Sequence, residues 1–169
     1  TETTGLSPAI HGVIEVAVVV MDRSCSTEIE RFEARMPIRR EFRVEPRALE
    51  VNGYTPEAWS AALPHDQVYA RLNELLRPHD VVLGWNTPFD VGMLQGTAKM
   101  LGLTAPTLDR AVDARGVIGP MLRGKAENMR LTTVTAHLGI RHDKAHSAMG
   151  DVEPLIGVWQ WYLAQGVNR

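Results

Sequence analysis

Val13-Ile14-Glu15-Val16-Ala17-Val18-Val19-Val20-Met21 is a nearly continuous run of β-branched and apolar residues, interrupted only by Glu15 and Ala17. Such a run is typical of a strand that is covered on both faces. Asp22 to Ser26 then indicates a turn, and the looser apolar alternation from Glu28 to Ile38 predicts the partner strand of a hairpin. The beginning of the chain is therefore expected to form a sheet.

The rest of the chain alternates predicted helices with short predicted strands. A loop is expected from Pro46 to Tyr54, and helices are expected to begin at Thr55, after Pro64 and at Thr87, where Thr-x-x-Asp resembles a capping box. Apolar segments predict two short strands, and apolar residues at helical spacing predict two later helices. The strands are Val81–Leu83 and Leu108–Val112, and the helical stripes are Leu131, Val134, Leu138 and Val152, Leu155, Ile156, Trp159.

This order of elements is that of an α/β domain with a mixed sheet. Pro154 lies inside the last helical stripe, and because proline disrupts a helix interior, it predicts that this helix begins late or bends.

Composition and charge limit the class of protein. The 169 residues suit one domain with one core, and residues 1–169 are predicted to form that domain. No apolar run approaches the ~20 residues of a membrane span and no signal peptide is visible, so no membrane partner and a cytoplasmic location are expected. Cys25 is the only cysteine, which excludes an internal disulfide.

The net charge of −2 argues weakly against a general nucleic-acid binder. Arginines cluster between Arg39 and Arg47. The first interpretation of this cluster is a solvated strand edge or loop, and the second is a phosphate-binding patch.

Three acids and one histidine occur where side chains from different elements can converge. Glu2 lies in a Thr/Gly-rich turn, Asp90 at the start of a predicted helix, and Asp151 near the start of the last helix, five residues after His146. Oxygen ligands of this kind suit Mg²⁺ or Mn²⁺. Two such ions about 4 Å apart can activate a water and stabilise the leaving oxygen of a phosphodiester. Taken singly, each residue has a simpler interpretation, as a helix cap, a surface histidine or a terminal residue.

The spacing of His146 and Asp151 bears on the role of the histidine. Five residues on a helix subtend roughly 140°, so the two side chains cannot point the same way from one regular helix. We therefore expect His146 on the loop before the helix, facing Asp151. An imidazole with a pKa of about 6.5 can accept a proton from an attacking water there.

Three segments in chain order carry the signature of one family. Thr1-Glu2-Thr3-Thr4-Gly5-Leu6 matches the tail of a first motif, Asp-Thr-Glu-Thr-Thr-Gly-Leu. Asn86-Thr87-Pro88-Phe89-Asp90 matches a second motif, in which Asn precedes a metal-ligating Asp by four residues, and His146 to Asp151 matches a third, His-x₄-Asp. The chain thus resembles the DEDDh-type 3′–5′ exonucleases, which are the proofreading (DnaQ-like) members of the RNase H-like superfamily. The resemblance covers essentially the whole chain.

The resemblance implies an RNase H-like fold, in which helices flank a five-stranded mixed sheet. We expect the first strand, with one further Asp, to be encoded before Thr1. The resemblance also implies that this Asp together with Glu2, Asp90 and Asp151 binds two divalent cations, Mg²⁺ or Mn²⁺, and that His146 is the general base. The residues implied to approach the 3′-terminal nucleotide are Thr3, Thr4, Leu6, Asn86 and Phe89, of which Phe89 has packing in the core as an equal alternative.

The implied function is a metal-dependent 3′–5′ exonuclease that releases nucleoside 5′-monophosphates from single-stranded or frayed DNA 3′ ends. Proofreading, DNA replication and DNA repair are the implied processes, with a DNA polymerase as a candidate partner. One alternative is an exoribonuclease acting on RNA 3′ ends, which recognition of the 2′-hydroxyl would decide. A second is a catalytically inactive module that binds nucleic acid or docks on a polymerase. The Asp missing before Thr1 favours this second alternative, and the four matched site residues disfavour it.

Overall fold

The computed structural model describes residues 1–143 and 146–166. Within these ranges, a sheet formed early in the chain is followed by helices that alternate with short strands. The strands are β1 (Glu2–Thr3), β2 (Val13–Met21), β3 (Glu28–Arg35), β4 (Val82–Gly84) and β5 (Ala111–Asp113). The helices are α1 (Pro46–Val51), α2 (His65–Leu75), α3 (Thr87–Leu101), α4 (Ala114–Leu122), α5 (Leu131–Leu138) and α6 (Ala148–Ala164). None of the helices in the described residues is long and apolar enough to cross a membrane.

The strands form two hydrogen-bonded sheets. In the first, β2 lies between β1 and β3, and both pairings are antiparallel. In the second, β4 and β5 are parallel. The antiparallel and parallel pairings of the predicted mixed sheet are therefore both present. In the described residues they form two separate ladders, since β1 has only two residues and pairs with β2 but not with β4 or β5.

Two apolar clusters form the core. The first joins the buried start of β2 to α2 and α3, and the second joins α4, α5 and α6. Fully buried members of the first are Val13, Met36, Val68, Leu72 and Met93, and those of the second are Ala114, Ile118, Val134 and Val158. The continuous apolar run of β2 correctly predicted a strand, although only its first half is buried.

The segment between the sheet and α2 differs from the expected order of loop and helix. Pro46 to Val51 forms the short helix α1, with Pro46 in its first turn, where the missing N–H of proline costs nothing. Thr55 does accept a hydrogen bond from the N–H of Ala58 (3.1 Å), as a cap would, yet the chain makes only turns before Pro64. The prediction of a loop at Pro46–Tyr54 and of a helix at Thr55 is wrong, because local capping signals do not determine whether a turn continues.

Helix α3 begins at Thr87 as predicted, but its cap differs from expectation, and so does the start of α6. Asn86, not Thr87, is the N-cap of α3, and the hydroxyl of Thr87 donates instead to the carbonyl of Val112 in β5 (2.8 Å). Helix α6 begins at Ala148, so Pro154 neither delays it nor interrupts its continuous span. Its start is fixed by Ser147, whose hydroxyl accepts from the N–H of Gly150 (3.1 Å).

A buried carboxylate joins the sheet to α6. Glu15, in the middle of the apolar run of β2, is only 1% exposed. One of its oxygens accepts from Nε of Arg35 on β3 (3.0 Å), and the other accepts from the N–H of Ala148 at the start of α6 (3.3 Å). The guanidinium of Arg35 also lies 4.4 Å from the ring of Trp59 and donates to the carbonyl of Ala58 (2.7 Å). The charge of Glu15 is therefore compensated on both sides.

Removing Arg35 should destabilise the fold more than removing the charge of Glu15. Arg35→Ala leaves the Glu15 carboxylate buried with one N–H donor, which we expect to cost about 3 kcal/mol of unfolding free energy. Glu15→Gln keeps the side-chain shape and should cost about 1 kcal/mol. Urea unfolding followed by circular dichroism measures both. Arg47→Ala, which breaks an exposed pair with Glu50, is the control at below about 0.5 kcal/mol. An equal loss in Arg35→Ala and Arg47→Ala would contradict this account.

Candidate active site

Glu2 lies on β1 directly opposite Glu15 in the register with β2. Burial raises the pKa of Glu2 to about 7. The ammonium of Thr1 opposes this rise, whereas the carboxylates of Asp151, Glu15 and Asp90 add to it. Glu2 is thus a half-buried acid within electrostatic reach of three other carboxylates.

Asp90 lies in the first turn of α3, with its side chain turned toward β1. One oxygen, Oδ1, accepts hydrogen bonds from the ammonium of Thr1 (3.0 Å) and from the Thr1 hydroxyl (2.7 Å). The left-handed backbone of Asn86 (φ 70°) starts this helix, and the N–H of Asn86 donates to Asp113 at the end of β5 (2.8 Å). Asparagine tolerates this conformation better than most residues. The end of β5 therefore fixes the turn that presents Asp90.

Asp151 lies in the first turn of α6, and its side chain remains partly exposed. Its Oδ1 lies 2.8 Å from Nε2 of His142, which is on the segment after α5. His146 is exposed, precedes the first residue of α6, and has a left-handed backbone (φ 69°). The structure thus places His146 on the loop before the helix, and His146 and Asp151 line the same cleft.

This cleft has a volume of about 460 Å³. It is lined by Asp151, His142 and His146 and also by Arg115 and Arg130. In the described ranges neither arginine forms an ion pair with a carboxylate, unlike Arg31, Arg35, Arg47 and Arg71. Aromatic surface is supplied by Trp85, whose indole N–H donates to the carbonyl of Met129 (3.0 Å). The cleft combines one acid, two imidazoles, two guanidinium groups and an indole.

Divalent cations fit the chemistry of the acidic residues of this site. Glu2, Asp90 and Asp151 offer hard oxygen donors from three different elements, and their mutual repulsion contributes to the raised pKa of Glu2. Across residues 1–143 and 146–166, however, no three His, Cys, Asp or Glu side chains are arranged as a complete metal cage. The donor set suits a cation, and the side chains are engaged with Thr1 and His142.

The residues expected to contact the 3′-terminal nucleotide fall into two groups. Leu6 is 75% exposed and Asn86 is also exposed, so both are accessible to a ligand. Thr4 is fully buried, and its hydroxyl donates to the carbonyl of Arg43 (2.8 Å) and accepts from the N–H of Gly12 (3.1 Å). Thr3 is also buried, with its hydroxyl on the carbonyl of Gly5 (2.8 Å). The structure thus gives both threonine side chains partners within the protein.

Phe89 is half-buried and packs against the first core cluster. Its ring therefore takes part in the packing that the sequence left open as an alternative to substrate contact.

Sequence reasoning missed four residues that the structure brings to the site. Glu15 interrupts an apolar strand, which is itself a signal of a buried partner. His142 precedes His146 by four residues, and a second histidine so close to the third motif is a signal that could have identified it. Arg115 and Arg130 carry no local signal, because only the packing of α4 and α5 brings them to one cleft.

Comparison with protein families matches residues 1–158 to the RNase T family, described as exonuclease. The chain belongs to this exonuclease family. The family predicted from the three motifs is thereby confirmed, and with it the enzyme class. No curated protein matches the chain by sequence at a significant level.

Solved structures of exonucleases share the fold. Exonuclease I from E. coli in complex with a dT13 oligonucleotide has a TM-score of 0.79 at 23% identity, covering 95% of this chain and 39% of its own. The zinc-bound complex of E. coli exonuclease I with single-stranded DNA has a TM-score of 0.80 at 24% identity, covering 97% and 39%. The nuclease domain of 3′hExo, a DEDDh family member bound to rAMP, has a TM-score of 0.77 at 16% identity, covering 93% and 83%. The predicted RNase H-like α/β fold is confirmed, and this exonuclease-family chain spans about two fifths of the exonuclease I chains.

Replacing Glu2 with Gln should change the pH dependence of stability. Because the folded-state pKa of Glu2 is raised to about 7, the folded protein favours the protonated acid. The resulting contribution to the free energy of unfolding is lost as pH rises from about 4.3 to 7. In EDTA, wild type should therefore weaken relative to Glu2→Gln over that range, by up to about 3 kcal/mol above pH 7.

Urea unfolding between about pH 4 and 9 measures this difference. Saturating Mg²⁺ should cancel it, because a bound cation favours the charged carboxylate. Glu57→Gln, at an exposed position, is the control and should show no such trend. A stability difference between wild type and Glu2→Gln that is the same at pH 5 and pH 8.5 would show that Glu2 is not perturbed.

Proposed function

We propose that this protein is a metal-dependent 3′–5′ exonuclease that releases nucleoside 5′-monophosphates from nucleic-acid 3′ ends. The observation that carries the proposal is that Glu2 on β1 lies within electrostatic reach of Asp90 on α3 and of Asp151 on α6, and Asp151 lines a cleft together with His146. Membership of the exonuclease family and an exonuclease fold support the same reaction class.

The side chains of the site suit both the phosphate groups and the bases of a nucleic-acid substrate. Arg115 and Arg130 can pair with phosphate groups, for which a planar guanidinium is well matched. Trp85 and the exposed Leu6 offer surfaces for stacking or packing of bases. Because Arg115 and Arg130 pair with no carboxylate among the described residues, their positive charges are available to a polyanion, although the whole chain has a net charge of −2.

Glu2, Asp90 and Asp151 would hold two divalent cations, Mg²⁺ or Mn²⁺. When bound, such ions supply activation of water and stabilisation of the charge that develops on the phosphodiester. In this mechanism His146 accepts the proton of the attacking water on an imidazole nitrogen, and its exposed position before α6 gives it access to solvent. The left-handed backbone at His146 is of the kind that clusters at active sites.

Single-stranded DNA is the proposed polymer. The exonuclease I structures that share the fold at 23–24% identity include complexes with oligonucleotides. RNA is the competing substrate, since 3′-exonuclease structures at 16% identity include recognition of a histone mRNA stem-loop. Rates on matched DNA and RNA 3′ ends decide between them.

Asp90→Asn and Asp151→Asn should each abolish turnover while leaving the fold intact. The expected loss is at least about 10²-fold, because each carboxylate acts through a bound cation that provides several kcal/mol. A 3′-labelled oligonucleotide with Mg²⁺ reports the rate, and thermal unfolding reports the fold. Asp109→Asn, at an exposed position outside the cleft, is the control. Near-normal activity in either site variant would overturn the site assignment.

The pH–rate profile tests His146. If the neutral imidazole accepts the proton, turnover should fall toward acid pH, and His146→Ala should lose about 10²–10⁴-fold in rate. Metal affinity should change far less. Single-turnover rates between about pH 5.5 and 9 measure this, with the exposed His137→Ala as control. Equal rates in wild type and His146→Ala would remove His146 from the mechanism.

A further inference from the structure

His142 is enclosed between two helices. It follows α5 after the left-handed cap Gly139, and its side chain is only 5% exposed. Its Nε2 lies 2.8 Å from Oδ1 of Asp151 on α6, and its Nδ1 lies 3.3 Å from the hydroxyl of Thr135 on α5. The ring therefore bridges α5 and the first turn of α6, with a partner at each nitrogen.

The partners decide the direction of the contact with Asp151. An ionised carboxylate only accepts hydrogen bonds, so Nε2 of His142 carries the hydrogen and donates. Behind the ring, Thr135 is fully buried, and its hydroxyl is also within hydrogen-bond distance of the carbonyls of Leu131 (2.9 Å) and Thr132 (3.0 Å). With Nε2 carrying the hydrogen, Nδ1 is an acceptor, so the Thr135 hydroxyl holds the ring when its single hydrogen points to Nδ1 instead of to these carbonyls.

Without this contact the Asp151 carboxylate would have little to fix its orientation. The side chain is 41% exposed, and the terminal torsion of aspartate has a broad, shallow preference. The contact occupies one oxygen and leaves the other directed elsewhere. His142 cannot serve as the proton acceptor in this geometry, because Nε2 is engaged by Asp151 and Nδ1 faces Thr135.

We propose that His142 is a positioning residue that holds the Asp151 carboxylate in one orientation, so that its free oxygen is presented to a divalent cation. The inference rests on the proposed function, because it takes Asp151 as a cation ligand. Hydrogen-bonding partners behind a ligating group commonly change metal affinity or activity by 10–100-fold. His142 would act through Asp151, whereas His146 would act on the water.

The test is Mn²⁺ binding to the full-length protein by calorimetry, together with the dependence of kcat on Mn²⁺ concentration. His142→Ala should weaken Mn²⁺ binding by about 10–100-fold. The KM for the oligonucleotide should stay within about 2-fold, because phosphate binding is assigned to Arg115 and Arg130. His142→Gln, whose amide N–H can reach Asp151, should recover most of the affinity.

Two further variants separate positioning from simple loss of packing. Thr135→Val keeps the volume but removes the hydroxyl behind the ring, and it should weaken Mn²⁺ binding by a smaller factor, about 3–10-fold. His137→Ala, an exposed histidine on the same helix, should bind Mn²⁺ as wild type does. Thermal unfolding in EDTA shows whether each variant is folded.

An unchanged Mn²⁺ affinity in folded His142→Ala would overturn the inference, as would equal losses in His142→Ala and His142→Gln. Asp151→Asn distinguishes this failure from failure of the proposed function. If Asp151→Asn loses Mn²⁺ and His142→Ala does not, only the role of His142 falls. If Asp151→Asn binds Mn²⁺ like wild type, Asp151 is not a ligand, and the proposed site and the role of His142 fall together.

Discussion

The buried carboxylate of Glu15 is the contact on which the site geometry depends. It lies on β2 opposite Glu2, pairs with Arg35 on β3, and accepts the N–H of Ala148 at the start of α6. A single side chain therefore sets the distance between the strand that carries Glu2 and the helix that carries Asp151. Because an uncompensated buried charge is costly, the sheet and the helix can separate only at a large loss of free energy.

The site lies where the two apolar clusters of the core meet. Asp90 belongs to a helix of the first cluster and Asp151 to a helix of the second. Each core fixes its own helix, and neither core by itself would bring the acids together. The end of β5 adds a second link, because Asp113 holds both Asn86 before α3 and the N-terminus of α4. Side chains at such a junction are positioned by packing on both sides.

Electrostatics explains why such an arrangement serves a cation and a polyanion together. Carboxylates gathered around Glu2 repel one another, which raises the pKa of Glu2 and makes a positive charge favourable beside it. Arg115 and Arg130, which line the cleft with Asp151, pair with no protein carboxylate among the described residues. Their positive charges are therefore available to the phosphate groups of the proposed substrate.

Local patterns in the sequence determined much of this protein. The apolar run of β2, the stripes of α5 and α6, and the ordered motifs around Glu2, Asp90 and His146 were sufficient for the fold class and the family. Whether residues 1–169 form one domain, and where in the cell the protein acts, stay predictions. The tertiary structure decided that Pro46–Val51 is a helix and which hydrogen-bond partner each buried polar group has.

Thr4 shows the limit of the motif, because its place in the pattern suggested substrate contact whereas packing encloses it with Arg43 and Gly12. Glu15 finds the N–H of Ala148 133 positions away, and no periodicity encodes such a pairing. Sequence periodicity reports which face of an element is buried, but only packing decides which groups meet there.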